Sequence, residues 1–481
     1  MRFLMLPLVL AMSACSLTPP LVKPKAPVAA VFPDAAPPEV ATGHAADLGW
    51  RTMFGDPRLQ HLIALALEHN RDLRLAALNV EAVQAQFRIQ RAARLPGVDA
   101  EAGTTRERTE ATTTGGTASP SAVQERISVG LGLSAFEIDL FGRVRALSDA
   151  AFARYLASEQ GRRATQIALV GAVADAYFAE QLAQEQRQLA EHTLANWRQS
   201  LTLARLLRQA DQSSGLDVAQ AEGQVATAEA DLEARLRALA RARNALALLV
   251  GTDLPAELPE PLALDAQPLL TRLPAGLPSD LLARRPDILQ AEQALVAANA
   301  DIGAARAAFF PRLSLTASLG YASPSLGGLF DADMRTWRFA PQITQPLFQG
   351  GRLRAELRLA EVRKSTAIAE YERAIQTAFR EVADGLAGCA TFGRQGDAQQ
   401  RAVASAERRA ELSSLRYRAG LEGRLELLDA QRQLYAARQT LLDLRRDEIG
   451  NVVALYKALG GGLAEASPVA AGAAPTAPYL D

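Results

Sequence analysis

The chain contains nearly the same unit twice, and this limits its fold more than any composition figure. Leu140-Phe141-Gly142-Arg143 opens one long helical segment, and Leu347-Phe348-Gln349-Gly350-Gly351-Arg352 opens another. Farther on, Leu216-Asp217-Val218 answers to Leu425-Glu426-Leu427, and Gly251 answers to Gly460. The offset is constant: 351 − 142, 425 − 216 and 460 − 251 each give 209. Any insertion would break that register, so both copies need the same helices and turns. Upstream the match resumes with Asp72 and Asp287, then Pro96 and Pro311, each pair 215 apart (287 − 72 and 311 − 96). The first copy therefore has a longer loop between Pro96 and Gly142. The period is too long for a small solenoid repeat, so the 481-residue chain reads as a duplicated half-protein.

Each copy mixes two periodicities. A helical hairpin pattern runs from about Asp56 to Leu95, with Pro57 at a helix start. Then Ile127, Val129, Leu131 and Leu133 alternate with Ser128, Gly130, Gly132 and Ser134, as in a strand with one apolar face. A weaker alternating run, Val98 to Ala102, precedes it. Thr112 to Ser121, all Thr, Gly, Ala, Ser and Pro, reads as a loop between them. In the second copy Leu313, Leu315, Ala317, Leu319 and Tyr321 alternate with Ser, Thr and Gly. A loop around Pro324 to Asp333 follows, and then Trp337, Phe339 and Ile343 alternate with polar partners. No proline occurs between Pro120 and Pro255 or between Pro346 and Pro468. In each interval a helical pattern runs for roughly 60 residues, or roughly 90 Å. It breaks at Gln209–Gly215 in one copy and Ala419–Gly423 in the other, then returns. Leu232, Leu236, Leu239, Leu246 and Val250 follow the three-and-four spacing of coiled-coil packing.

The N-terminus carries Met1-Arg2, an apolar run from Phe3 to Met12, then Ser13-Ala14-Cys15. One positive charge, a short apolar core and small residues make a secretory signal, and the run is too short to span a bilayer. Ser-Ala-Cys resembles a bacterial lipobox in which Cys15 is lipidated, although Met12 departs from the usual Leu. An ordinary signal with an incidental Cys is the alternative. Ser16 is not the Asp that favours inner-membrane retention, which favours the outer membrane. The boundaries follow: signal peptide 1–14, lipidated extended tether 15–50, first repeat 51–253, Pro-rich connector 254–286, second repeat 287–460 and disordered tail 461–481. Cys389, the only other cysteine, has small neighbours and reads as a small packed residue.

Much chemistry is excluded. Net charge is −1, and the basic residues, nearly all Arg, are interleaved with Glu and Asp. That reads as solvated helix faces rather than a nucleic-acid surface. His44, His61, His69 and His192 have no metal-ligand spacing, and His61 and His69 read as surface residues. Gly130-Leu131-Gly132-Leu133-Ser134-Ala135 loosely fits a dinucleotide fingerprint but lies within a strand pattern. Phosphate loop, HExxH and serine elbow are all missing, so no enzyme, cofactor or metal is expected. Asp331 and Asp333 share a loop that would bind calcium weakly or stay solvated.

Four strands from one chain cannot close a barrel, and open edges cannot face lipid. Several chains must contribute strands to one barrel. Trp50, Phe54, Asp56-Pro57, Leu59 and Asn70-Arg71-Asp72-Leu73 resemble the start of the TolC-like outer-membrane efflux factors, in the lipoprotein branch associated with multidrug pumps of the RND type. The stretches Gly276–Leu282, Arg285-Pro286-Asp287-Ile288, Ala291-Glu292, Ala298–Gly303 and Phe309-Phe310-Pro311 resemble that branch closely. The resemblance covers roughly Trp50 to Gly460. It implies a mainly α fold with transmembrane β: a homotrimeric twelve-stranded β-barrel continuous with a twelve-helix tunnel. The function implied is that of a passive, gated exit duct for drugs or other small molecules. A periplasmic adaptor and an inner-membrane pump are the implied partners.

Leu428-Asp429-Ala430-Gln431-Arg432 matches the helix at the family's periplasmic aperture, which residues at the positions of Leu425, Asp429 and Arg432 close. Spacings of four and three put these on one helical face. Three-fold symmetry would bring carboxylate and guanidinium into a bonded ring. The alternative is an exposed Asp–Arg pair within the helix. The first copy has Leu216, Gln220 and Gly223 at these places and lacks the charges. Both helix breaks would meet the adaptor, through Ser213, Ser214, Gly215, Gly420, Leu421, Glu422 and Gly423. Rival readings are an adaptor lipoprotein, which would have one hairpin between lipoyl-like segments, and a structural coiled-coil lipoprotein, which would lack the paired strands.

Overall fold

Proline-free runs rich in Ala, Leu, Arg, Gln and Glu favour helix over every alternative. Two long helices of 67 residues each result. The computed structural model describes residues 16–29, 31–32, 45–109, 112–114, 117–119, 122–255, 257–270, 273, 278–419, 421 and 423–466. Residues 1–14, Cys15, Gly420, Glu422 and the tail beyond 466 lie outside them. The first copy comprises α1 (Trp50–Met53), α2 (Pro57–His69), α3 (Arg71–Ala92), β1 (Asp99–Thr109), β2 (Thr112–Thr114), β3 (Thr117–Ser119), β4 (Ala122–Ile138), α4 (Arg143–Gln209) and α5 (Gly215–Val250). The second comprises α6 (Pro278–Arg284), α7 (Pro286–Ala307), β5 (Arg312–Ser323), β6 (Arg335–Thr344), α8 (Arg352–Arg418) and α9 (Arg424–Ala458). The element bounds repeat the sequence offsets. For α3 and α7, 286 − 71 and 307 − 92 are both 215; for α4 and α8, 352 − 143 and 418 − 209 are both 209.

The chain forms two compact units. One holds the strands. β1, β4, β5 and β6 form an antiparallel sheet in the order β1-β4-β5-β6. Its register sets Ala100, Leu131, Leu319 and Trp337 in one cross-strand row, and Glu101, Gly130, Gly320 and Thr336 in the next. Side chains alternate faces along a strand, so one face is apolar and the other polar. Leu131, Leu319, Trp337, Phe339 and Ile343 are all exposed in the single chain. The β4–β5 seam joins the two copies. There the backbones approach so closely that a Cβ on Gly130 would lie 2.7 Å from the Leu319 carbonyl oxygen, and one on Gly320 would come closer still to that of Val129. Gly130-Leu131-Gly132 thus serves strand packing. β2 pairs with β3 in a small hairpin, so the expected Thr112–Ser121 loop contains a ladder; its Thr-rich backbone pairs even though no apolar alternation announces it.

The same unit fixes the N-terminal segment. Residues 16–25 take no helix or strand. Yet Asn299 Nδ2 donates to the Pro19 carbonyl at 2.8 Å, and Lys23 Nζ lies 2.5 Å from Glu292 Oε1. A Cβ on Gly303 would overlap Thr18 Oγ1 and lie 2.9 Å from Thr18 Cα. The sequence shows an extended tether; it does not show that α7 carries its seat.

The second unit is helical, and its core gathers Trp50, Met53, Phe54, Leu59, Tyr177, Phe178, Leu246 and Tyr456. Asp56 Oδ1 caps α2 by accepting from Arg58 N at 2.8 Å, and Tyr177 Oη donates to Asp56 Oδ2 at 2.6 Å. Burial, then this bond, pushes the Tyr177 phenol far above its ordinary value. The duplication reappears as two matched joints. Asn70 Nδ2 donates to the Leu249 carbonyl at 2.8 Å, and Arg285 Nη1 donates to the Ala458 carbonyl at 2.9 Å. Both partners are displaced by the repeat offsets, 285 − 70 being 215 and 458 − 249 being 209. Each joint ties the α2–α3 or α6–α7 corner to the end of the returning helix. Gly251 and Gly460 end those helices with φ of 78° and 86°, where glycine has no steric cost. Arg285 additionally grips Asp287 through Nε and Nη2, and Glu381 at 2.8 Å through Nη1.

Three sequence expectations change here. The connector holds α6 and a bridge pairing Phe54 with Leu269, so it is less irregular than its prolines suggest. Leu239, Leu246 and Val250 are buried, but Leu236 is 39% exposed in the chain. Cys389 is exposed rather than packed: Gly385 and Gly388 make the close approach to α9, the Asn451 amide lying where a Gly388 Cβ would stand, and Cys389 Sγ meets α9 only by accepting from Asn451 Nδ2 at 3.5 Å. Desolvation nevertheless raises its pKa, so the thiol is not activated.

Candidate gate and helix tips

The first tip is a capped turn. Ser214 and Asp217 form a reciprocal capping box at the start of α5. Asp217 Oδ2 also accepts from Ser213 Oγ at 3.0 Å and from Ser214 Oγ at 2.8 Å. The Ser214 backbone bond, first among these contacts, lowers the Asp217 pKa; the Arg424 charge adds to it. Both serine hydroxyls are thus turned towards Asp217, while Gly215 is exposed. The second tip has no such device: Gly423 caps α9 without a side-chain bond, and Leu421 is 71% exposed. Gly420 and Glu422 lie outside the described residues.

The three expected gate residues share α9 but have different partners. Leu425 is 67% exposed. Asp429 Oδ2 accepts from Arg409 Nη2 on α8 at 2.7 Å and from Gln433 Nε2 at 3.0 Å. Arg432 does not pair with Asp429 in the chain: its Nε and Nη2 lie against the side-chain amide of Gln224 on α5, whose oxygen accepts from both when the amide is turned to face them. Leu428, between them, is buried against Trp197, Leu201, Ala221 and Val225. In the first copy Leu216 is exposed, and neither Gln220 nor Gly223 supplies a charge.

From Arg432 onwards a polar seam continues along α9. Tyr435 Oη donates to Asp231 Oδ2 on α5, Gln439 Nε2 to Tyr435 Oη at 2.9 Å, and Gln186 Nε2 on α4 to Asp443 Oδ1 at 2.7 Å. Arg235 braces it, reaching Asp231 Oδ1 at 3.3 Å and Gln186 Oε1 at 2.9 Å. Steps of three, four and four keep Arg432, Tyr435, Gln439 and Asp443 on one helical face. Burial and the Asp231 bond push the Tyr435 pKa up to about 12, so it donates throughout the physiological range. Sequence reasoning missed Gln224, Asp231, Tyr435 and Arg409. The available signal was the run of polar residues at three-and-four spacing beyond Arg432, in a helix whose apolar stripe should have continued. Each hairpin also has a matching brace with the charges exchanged: Arg198 to Glu229 at 2.8 Å in one and Arg438 to Glu407 at 2.7 Å in the other, where 407 − 198 and 438 − 229 are both 209.

Among the described residues, no three His, Cys, Asp or Glu side chains gather as metal ligands. No described helix is long and apolar enough to cross a membrane. The chemistry on offer is that of a two-sided sheet and a polar helix seam.

The outer membrane efflux protein family model matches residues 62–252 and 277–461. The chain is 47% identical over 454 residues to the probable efflux pump outer membrane protein TtgC of Pseudomonas putida, spanning 94% of this chain and 93% of that one. It is 44% identical over 459 residues to the outer membrane protein OprJ of Pseudomonas aeruginosa, spanning 94% of each. The open-state MtrE outer membrane channel of Neisseria gonorrhoeae superposes with a TM-score of 0.85 at 40% identity, over 95% of this chain and 100% of that one. With both halves of its duplication matched, the chain belongs to the outer membrane efflux protein family.

Proposed function

We propose that the chain is the outer-membrane exit duct of a tripartite efflux system in a Gram-negative envelope. The observation that carries this is the four-stranded sheet, apolar on one face and polar on the other, whose edge strands β1 and β6 have no second partner among the described residues. Such edges are not tolerated in lipid. Three copies, each adding four strands, close a twelve-stranded barrel with its apolar rows outward. Their long helices continue it as a twelve-helix tunnel. Cys15 carries the lipid that holds the N-terminus at the membrane, and the docked segment at residues 16–25 fits a short path from that anchor.

At the periplasmic end, Leu425 and Asp429 of three copies form the constriction, while Arg432 and Tyr435 latch α9 to α5. The tips at Ser213–Gly215 and Gly420–Gly423 meet the adaptor, and an inner-membrane pump supplies the energy. The duct itself passes solutes by diffusion. Deleting the gene in its own host and measuring accumulation of a fluorescent pump substrate tests the reading. Restored export on expressing the full chain, but not the chain with its tip turns replaced by bulky residues, is expected. Unchanged accumulation on deletion would refute it.

A further inference from the structure

The duplication specifies a contact that one chain can make only once. Within the strand unit, Phe141 follows β4 and stacks on Phe310, which precedes β5, with ring centres 4.8 Å apart and planes at 22°. This stack seals the base of the β4–β5 seam, where the first copy meets the second. The second copy has the same corner: Leu347-Phe348 follows β6 as Leu140-Phe141 follows β4. The first copy has the same approach: Leu95 precedes β1 as Phe310 precedes β5, and 310 − 95 is again 215. Phe348 is 90% exposed and Leu95 71% exposed. Leu95 also lines a groove of about 300 Å³ with Gly97, Phe136, Glu137, Arg143 and Val144.

Building on the trimeric reading above, we propose that Phe348 of one subunit packs on Leu95 of the next copy of this chain, at the foot of the β6–β1 seam. It repeats between chains what Phe141 and Phe310 do within one. Two large apolar side chains left in water at matching ends of the sheet fit this occupant. The two-residue insertion Gln349-Gly350, with φ of 56° at Gly350, sets the second corner apart from the first and gives Phe348 reach. Leu in place of Phe makes this contact aromatic-on-aliphatic rather than ring-on-ring.

The test uses the full chain carrying Cys389→Ser, purified in detergent and treated with a short bis-methanethiosulfonate reagent. Leu95→Cys with Phe348→Cys should yield two- and three-chain species on denaturing gels, and the Cys389→Ser parent none. Phe141→Cys with Phe310→Cys should link within the chain and run as one chain. A second readout needs no cysteine: Phe348→Ala should raise the monomer fraction at fixed concentration by about tenfold, as loss of a well-packed aromatic anchor does, whereas Phe348→Leu should change it little. If light scattering finds trimers while the Leu95/Phe348 pair stays unlinked and the Phe141/Phe310 pair links, this contact is wrong and the trimer stands. If the parent is monomeric in mild detergent, both fall.

Discussion

Arg432 and Tyr435 should hold the resting duct closed. Replacing them by Ala and Phe removes the contacts to Gln224 and Asp231 that fasten α9 to α5 nearest the constriction. Gln224 is 6% exposed, so Arg432→Ala leaves a buried amide oxygen without its donor, at a cost of about 1–3 kcal/mol. Tyr435→Phe removes one bond to a carboxylate that keeps Arg235 as partner, so the low end, about 1.5 kcal/mol, applies. If the open state lacks both bonds, the pair shifts the closed-to-open ratio by about 3 kcal/mol per chain, roughly a hundredfold. Asp429→Ala provides the comparison. Asp429 and Arg409 are 48% and 41% exposed, so their bond within the chain contributes about 0–1 kcal/mol. A large leak from Asp429→Ala must then come from the three-copy ring and not from this bond. Resting conductance of purified trimers in planar bilayers separates the two, with susceptibility to a large hydrophilic antibiotic as the cellular readout. Double-variant trimers that conduct like wild type would show that the α5–α9 seam is ordinary helix packing.

Three further outcomes are expected. Arg285→Ala should destabilise the helical unit by about 3 kcal/mol, the low end for breaking a buried ion pair, because Asp287 and Glu381 keep 41% and 36% of their side chains in water. Thermal loss of helical circular dichroism measures it, and Asn70→Ala at the matched joint should cost less, about 1 kcal/mol. Gly303→Val should release the N-terminal segment, since even a Cβ overlaps Thr18; faster tryptic cleavage after Lys25 with unchanged trimer mass would report it, and wild-type protection would refute the seat. The first tip should depend on pH through Asp217. Its folded pKa is lowered, so the cap's contribution is complete above the unfolded carboxyl value of about 3.9 and is lost as pH falls through the lower folded value. The protection factors of amides 214–217, taken relative to intrinsic exchange at each pH, should thus be unchanged between pH 7 and pH 5 and fall only in stronger acid, and Asp217→Asn should remove that dependence.

Periodicity carried much of the architecture. The Ile127–Leu133 alternation marks β4, and proline-free intervals bracket α4 with α5 and α8 with α9, because both signals are local and repeated. The duplication foretold matched corners, yet Arg285 and Asn70 differ in chemistry, so nothing in either residue alone marks a donor to the Ala458 or Leu249 carbonyl. Thr112–Thr114 and Thr117–Ser119 pair through backbone, which side-chain patterning does not register. At the candidate gate, Leu425, Asp429 and Arg432 were named from the resemblance of Leu428–Arg432 to the family's aperture helix, and nothing in that resemblance pointed to their partners. Gln224 and Arg432 belong to different copies of the repeat, and it is tertiary packing, such as Leu428 against Trp197 and Val225, that brings α9 against the first hairpin. Leu236 looked like a core position because spacing reports a helix face without saying whether one chain covers it.

The most direct measurement is the number of chains in one conducting unit. Native mass spectrometry of the purified full-length protein, with single-channel recording on the same preparation, should find three chains per particle. It should also find steady pores that Arg432→Ala with Tyr435→Phe makes more conductive at rest. A particle that conducts as a single chain, or a three-chain particle that never conducts in either form, would contradict the duct.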